Sequence, residues 1–193
     1  MRAKKAFTLV ELMVVIAILG ILATIVTSAA LGAMKSARER RRSAMASVLR
    51  EGIATYYARN GKWPAGIESK AENGEDHVFR RSESDNIFRE VVKGSVGKKN
   101  PYLDPHALFV APSGTTENRG VGVPFADARK KNPPPHIRRL NIEEMSFGYQ
   151  DPNSGKFRRF WVVYHAAADS VEVTWPSNDR DEAMNDGYER ENE

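Results

Sequence analysis

Lys4-Lys5-Ala6-Phe7-Thr8-Leu9-Val10-Glu11-Leu12-Met13-Val14-Val15-Ile16-Ala17-Ile18-Leu19-Gly20-Ile21-Leu22-Ala23 decides how the rest of the chain is read. Bases open it, and an apolar run follows from Phe7 to Leu31 in which Glu11 is the only charge. A carboxylate near a membrane costs of the order of a few kcal/mol. Glu11 is therefore a functional candidate, and the question is which cation it meets. Leu12 to Leu31 gives twenty residues without a charge. As a helix that run covers ~30 Å, the thickness of the hydrocarbon layer.

A basic start (Arg2, Lys4, Lys5) and an apolar middle also describe a secretory signal peptide. The apolar run here is longer than the usual core of such a peptide. Ser28-Ala29-Ala30 offers only a poor cleavage site before the polar region. A plain signal anchor would explain the run, but not Glu11 or the Phe-Thr-Leu-Val-Glu order.

The string from Lys4 to Ala23 resembles the class III signal of type IV pilins and type II secretion pseudopilins. The resemblance implies that a prepilin peptidase cuts on the cytoplasmic side between Ala6 and Phe7. The same enzyme would then N-methylate Phe7, leaving Glu11 as the fifth residue of the mature chain. Ala6 stands where the family usually has Gly. Ser28 stands where many members have a helix-breaking Pro, so the helix is expected to run through. The cation implied for Glu11 is the new amino terminus of a neighbouring subunit. Pairing the two offsets part of the desolvation cost of each and fixes register between helices.

Past the membrane stretch the helix is expected to continue. Met45, Val48, Leu49, Ile53 and Tyr56 recur at three- and four-residue spacing with Gly52 on their stripe, while Arg50, Glu51 and Arg59 fall off it. Asn60-Gly61 is a stop signal and Pro64 follows. Phe7 to Asn60 is 54 residues, ~80 Å of helix if unbroken. Tyr56-Tyr57-Ala58-Arg59-Asn60-Gly61-Lys62-Trp63-Pro64 also resembles the Tyr-x-x-x-Asn-Gly-x-Tyr-Pro segment of major pseudopilins, with Trp63 in place of Tyr.

Residues 65–140 read as mostly irregular. Ile87 to Val92 suggests a short helix burying Ile87, Phe88, Val91 and Val92, and Ala107 to Val110 a short strand. Segments 112–124 and 129–136 read as loops, with Pro133-Pro134-Pro135 a stiff extended piece. The C-terminal part reads as sheet. Met145 to Tyr149, Phe157 to His165 and Val171 to Trp175 form an expected three-stranded antiparallel meander. Its turns fall at Asp151–Gly155 and Ala166–Asp169, and Phe157 to His165 is its central strand. The expected fold class is α+β and pilin-like: a long N-terminal helix, half transmembrane and half amphipathic, packed on a small C-terminal sheet. The expected organisation is a leader at 1–6, a transmembrane and filament-core helix at 7–33 and its amphipathic half at 34–61. A loop-rich variable region at 62–140, the meander at 141–176 and an acidic tail at 177–193 complete it.

The chain has 193 residues, 41% of them hydrophobic, and leaves room for one compact domain beyond the anchor. It has no cysteine, which excludes disulfides and thiolate metal sites. Its formal charge of +4 drops to +1 once Arg2, Lys4 and Lys5 are removed, so nucleic acid is not an expected partner. What remains is asymmetry. Residues 35–50 carry six basic groups and one acid, whereas residues 176–193 carry seven acids and two basic groups. By the positive-inside rule, Lys35, Arg38, Arg40, Arg41 and Arg42 would keep their side of the membrane cytoplasmic. The pilin resemblance places that side in the periplasm, and a twenty-residue motif outweighs a charge bias.

No nucleophile motif, phosphate loop or His-Glu-x-x-His is present, and His77, His106, His136 and His165 are isolated. Neither a catalytic residue nor a cofactor is expected, and Glu143-Glu144 reads as a solvated pair. Asp179, Asp181, Glu182 and Asp186, with Asn178 and Asn185, are oxygen donors of the sort calcium favours. Their spacing does not reproduce the calcium loop of major pseudopilins, so the tail reads as a solvated acidic end with no metal. It could meet the Arg40–Arg42 block of a neighbouring subunit, a contact weakened by salt.

The resemblance implies a structural subunit and not an enzyme, processed by a prepilin peptidase and methyltransferase. It would sit single-pass in a bacterial inner membrane with its N-terminus cytoplasmic and its head periplasmic. From there it would assemble with pilin-like subunits, through an inner-membrane platform, into a filament driving type II secretion. The alternatives are a minor type IV pilin for adhesion or DNA uptake, an anchored periplasmic enzyme or binding protein, and a signal anchor with a cytoplasmic head.

Overall fold

The computed structural model describes residues 9–113, 122–132, 139–151 and 155–176, apart from the side chains at 25, 26, 28 and 29. The leader and Phe7, the triple proline 133–135, the centre of the 151–155 turn and the acidic tail fall outside the described residues.

Helix α1 spans Leu9–Asn60, 52 residues, and passes Ser28 without a break. It ends where the sequence signals. Gly61 takes a φ of 69°, the left-handed region that glycine enters at least cost. The Gly61 N–H donates to Tyr57 O at 2.8 Å, and Asn60 Nδ2 donates to Tyr56 O at 2.8 Å. The chain divides into two compact units, one up to Arg40 and one from Arg41 onward.

The second unit carries the expected stripe. Met45, Leu49, Gly52 and Ile53 are buried, Val48 and Tyr56 half-buried, and Arg50, Glu51 and Arg59 exposed. After α1 come α2 (Ala65–Ala71), β1 (His77–Phe79) and α3 (Arg81–Ser95). Then follow β2 (Phe109–Pro112), β3 (Val123–Pro124) and α4 (Phe125–Ala128). Strands β4 (Met145–Gln150), β5 (Phe157–Arg159), β6 (Trp161–His165) and β7 (Ser170–Thr174) close the chain. The α1 stripe joins Trp63, Ile67, Ile87, Phe88, Phe147 and Val162 in one core. The result is a helix packed on small antiparallel sheets.

Helix α3 was expected over Ile87 to Val92, and all four apolar residues named there are buried. It begins six residues earlier and ends three residues later, because Ser84, Asp85 and Ser95 are buried and bonded on the same face. Ser84 Oγ donates to Phe79 O at 2.6 Å, and Ser95 Oγ to Val91 O at 2.9 Å. Elements α2, β1 and α4 are seven, three and four residues long and too short for a periodic signal.

The three-stranded meander is corrected. Among the described residues two antiparallel sheets form, ordered β1-β6-β7 and β3-β2-β4-β5. The run from Phe157 to His165 is split between them at Phe160: β5 pairs with β4, and β6 pairs with β1 and β7. The central position expected for this run belongs to β6, whose neighbours are β7 and β1 rather than β4. Phe160, Val162 and Tyr164 point into the core, and Trp161 and Val163 are half-exposed.

The cause of the split lies on α3. Phe160 N–H still donates to Phe147 O at 3.1 Å. The return bond is not made by a strand: Phe147 N–H donates to Asp85 Oδ1 at 2.9 Å. One helical turn on, Arg89 Nε donates to Met145 O at 3.0 Å. Two α3 side chains four residues apart thus satisfy the backbone of β4 where β5 leaves it. Where the two strands do pair they lie close. A Cβ on Gly148 would sit 1.9 Å from Arg158 O, so only glycine fits. Beside it, the Arg158 guanidinium meets Asp151 Oδ2 at 2.7 Å, both side chains largely buried.

The basic block also has a structural use. The Arg42 guanidinium lies 4.4 Å from the Trp175 ring centroid and 5.2 Å from that of Tyr149. Arg41 stands 5.3 Å over Phe109. These cations pack α1 against rings of the β-structure.

Candidate functional site

Two parts of the chain bear on function: the apolar N-terminal half of α1, and the junction where α1 ends on the head.

In the first unit, Leu9, Val10, Leu12, Met13, Val14, Val15 and Ile16 are all exposed, and so are Ile18, Leu19, Ile21 and Leu22. Exposure runs from 45% at Val15 to 74% at Leu9 on successive residues, so it covers the whole circumference. A helix apolar all round needs lipid or other helices about it. Its hydroxyls suit such surroundings. Thr24 Oγ1 donates to Ile21 O at 2.7 Å and Thr27 Oγ1 to Ala23 O at 2.8 Å, so neither of these two hydroxyl protons faces outward. Described side chains run unbroken from Leu9 to Thr24, and among the described residues no helix is long and apolar enough to cross a membrane. In the sequence the charge-free run continues to Leu31.

Glu11 is exposed in the first turn of α1. Arg2, Lys4, Lys5, Ala6 and Phe7 lie outside the described residues, so no geometry relates them to Glu11.

At the other end of α1, the Tyr56–Pro64 segment is tied to the head through Tyr56, Tyr57, Arg59, Asn60 and Trp63. Tyr56 OH donates to Glu90 Oε1, and Glu90 Oε2 accepts from Ala65 N–H at 2.9 Å. Burial first, and then that carboxylate, push the Tyr56 phenol up to about 12. Trp63 stacks on Tyr57 with centroids 4.1 Å apart, and its indole N–H donates to Asp169 Oδ1 at 2.9 Å. Tyr164 OH reaches the same oxygen at 3.0 Å, and Tyr57 OH reaches Asp169 Oδ2 at 3.0 Å. The Trp63 bond above all, with the two phenols, holds the Asp169 carboxyl below the usual carboxylate range. Asp169 ends the β6–β7 turn at a φ of 40°. Its role was not legible in sequence. An Asp in a turn is common, and its three donors come from 106, 112 and 5 residues away.

The histidines stay apart. His77 Nε2 lies 4.0 Å from Glu83, and His165 Nε2 3.7 Å from Glu172, both at partly exposed positions. His106 sits edge-on to Phe125, and His136 is outside the described residues. Glu143 is not merely solvated: Lys93 Nζ meets it at 2.6 Å and draws its carboxyl below the usual range. Among the described residues no group of three acidic or histidine side chains could hold a metal. The calcium candidates Asp179, Asp181 and Asp186 lie outside them.

Residues 1–27 match the family model of the prokaryotic N-terminal methylation motif. The type IV major pilin protein PilE1 of Neisseria gonorrhoeae is 45% identical over 65 residues, 32% of this chain and 37% of that protein. A fimbrial protein of Neisseria meningitidis serogroup B is 40% identical over 78 residues, 36% of this chain and 44% of that protein. The matched part thus spans well under half the length of these curated relatives, and no solved structure matches. The methylation motif falls on the half of α1 whose large apolar side chains are exposed on every side, and over that N-terminal part the chain is similar to type IV pilins.

Proposed function

We propose that this chain is a prepilin-like structural subunit that is cut between Ala6 and Phe7, N-methylated on Phe7 and built into a filament. The observation that carries the reading is the exposed apolar circumference from Leu9 to Leu22. Before processing, lipid of the bacterial inner membrane covers that surface. After it, equivalent helices of neighbouring subunits do. The exchange conserves apolar contact, so extraction and assembly are nearly balanced. Glu11 supplies register. Paired with a neighbour's amino terminus it loses little, whereas a subunit out of step leaves a stranded charge. The work is mechanical, with the prepilin peptidase and methyltransferase, the assembly platform and other pilin-like subunits as partners.

Within this class we assign the chain to a type II secretion pseudopilin, on the Tyr56–Pro64 segment that docks the helix end on the head. The named relatives support a second reading, a subunit of a type IV pilus, major or minor. Two measurements test the proposal. The mass of the mature N-terminus should show methylated Phe7 in wild-type cells and an intact Met1 start without the peptidase. An intact start in both would overturn it. Glu11→Gln should reduce filament yield at least tenfold while leaving the head's unfolding curve in place; unchanged filaments would remove the register role. Loss of exported protein without loss of surface pili on deletion of the chain selects secretion over the pilus.

A further inference from the structure

Between the C-terminal end of α3 and α4 the head carries an open cleft of about 520 Å³. Its floor includes Pro105 and Phe125. Lys98, Arg129 and Lys130 line it against one carboxylate, Asp104. Asp104 Oδ1 is already engaged by the His106 backbone N–H at 2.9 Å, and Lys130 has Asp127 beside it. Arg129 is different. Its guanidinium carbon lies 5.7 Å over the Phe125 ring, and its Nη1 is buried with no hydrogen-bond partner among the described residues. A buried cationic donor above an aromatic floor, with the exposed Lys98 at the rim, suits a carboxylate attached to an apolar group.

The chain itself supplies a segment of that chemistry. Residues 177–193 carry seven acids and two basic groups, with Met184 and Tyr188 set among the acids. The segment leaves the described fold after Pro176. Tyr188 is twelve residues further on, ~40 Å of extended chain. A head of this size has a radius of gyration of about 15 Å, so the tether is long enough to cross it. Arg42 Nε is likewise buried without a hydrogen-bond partner, but its guanidinium already lies on two rings, Trp175 at 4.4 Å and Tyr149 at 5.2 Å, whereas Arg129 covers Phe125 alone.

We propose that the acidic tail, residues 177–193, docks in this cleft, a tail carboxylate on Arg129 and an apolar tail side chain against the Phe125 floor. Tethering favours docking within one chain, because the local concentration of a linked segment is in the millimolar range. This inference does not depend on filament formation.

The test uses the full chain in detergent and a fluorescent peptide of residues 177–193. The acceptor is the chain with its seven tail acids changed to amides, Asp179→Asn, Asp181→Asn, Glu182→Gln, Asp186→Asn, Glu189→Gln, Glu191→Gln and Glu193→Gln. The peptide should bind this acceptor, and bind the parent chain at least fivefold more weakly because the parent's own tail competes. Adding Arg129→Gln and Lys98→Gln should weaken binding at least tenfold. Adding Arg38→Gln and Arg40→Gln instead should change it less than twofold. If Arg129→Gln disturbs the circular dichroism, the exposed Lys98→Gln alone should still weaken binding about threefold. No binding to the acceptor, equal binding by acceptor and parent, or loss through Arg38 and Arg40 with Arg129 indifferent would overturn the proposal.

Discussion

The two halves of α1 share one backbone and part company at their side chains. From Leu9 to Leu22 every large apolar residue is exposed, whichever way it points. From Met45 to Ile53 the apolar residues keep to one stripe, and that stripe is buried. Among the described residues the first half is left exposed, whereas the second is covered by the head. Helical propensity does not distinguish them. The pattern of polar residues does: none interrupts the first half after Glu11 except Thr24, Thr27 and Ser28, whereas Arg50, Glu51 and Arg59 flank the stripe of the second.

The largest effect that would break this contrast comes from matched truncations. Leu49→Ala should destabilise the head by about 2–5 kcal/mol in urea unfolding of the detergent-solubilised chain. Leu19→Ala should shift the same curve by less than about 0.5 kcal/mol. Equal shifts would mean that the first half is also held by the head. A smaller effect is expected at Arg42, where both rings lose their cation. Arg42→Gln should cost about 1–2 kcal/mol in the same assay, with Arg42→Lys recovering only part.

The smallest effect is a pH slope confined to the head. Burial raises the Asp85 carboxyl, opposed first by Arg159 at 3.7 Å and then by the Phe147 N–H, Ser146 and Arg89. The folded chain therefore binds that proton more tightly than the unfolded one. The contribution is fully favourable below the ordinary carboxylate range and declines as pH rises to the folded value. Asp169 has the opposite sign: its depressed carboxyl favours the fold above the ordinary range and loses that as pH falls through the depressed value. Asp85→Asn should remove the decline on the neutral side and leave the acid limb. Stability measured at intervals from acid to neutral pH would show an unchanged profile if Asp85 does not titrate with folding.

Much of this architecture was legible because its signals are local. The α1 stripe, the Asn60-Gly61 stop and the apolar cluster on α3 each announce themselves within a dozen residues. The division of Phe157 to His165 between two sheets was not, since alternation runs through Phe160 without a break. What parts the sheets is a carboxylate and a guanidinium, Asp85 and Arg89, more than seventy residues before Phe160. Arg42 looked like part of a topogenic charge cluster, and only its contact with Trp175 and Tyr149 shows it as a packing residue. At the candidate site, Glu11 stood out as the lone charge in an apolar run, and the methylation motif by its resemblance to the prepilin signal. Asp169 needed the fold to gather its three donors.

The pair that closes β4 has one further consequence. A run of open amides and carbonyls along a strand is a template on which another chain can add, and crowding multiplies the encounters. With Asp85 on the Phe147 amide and Arg89 on the Met145 carbonyl, that template is blocked by groups that cannot propagate. In the proposed filament, many copies side by side would thereby be spared runaway sheet growth between their heads.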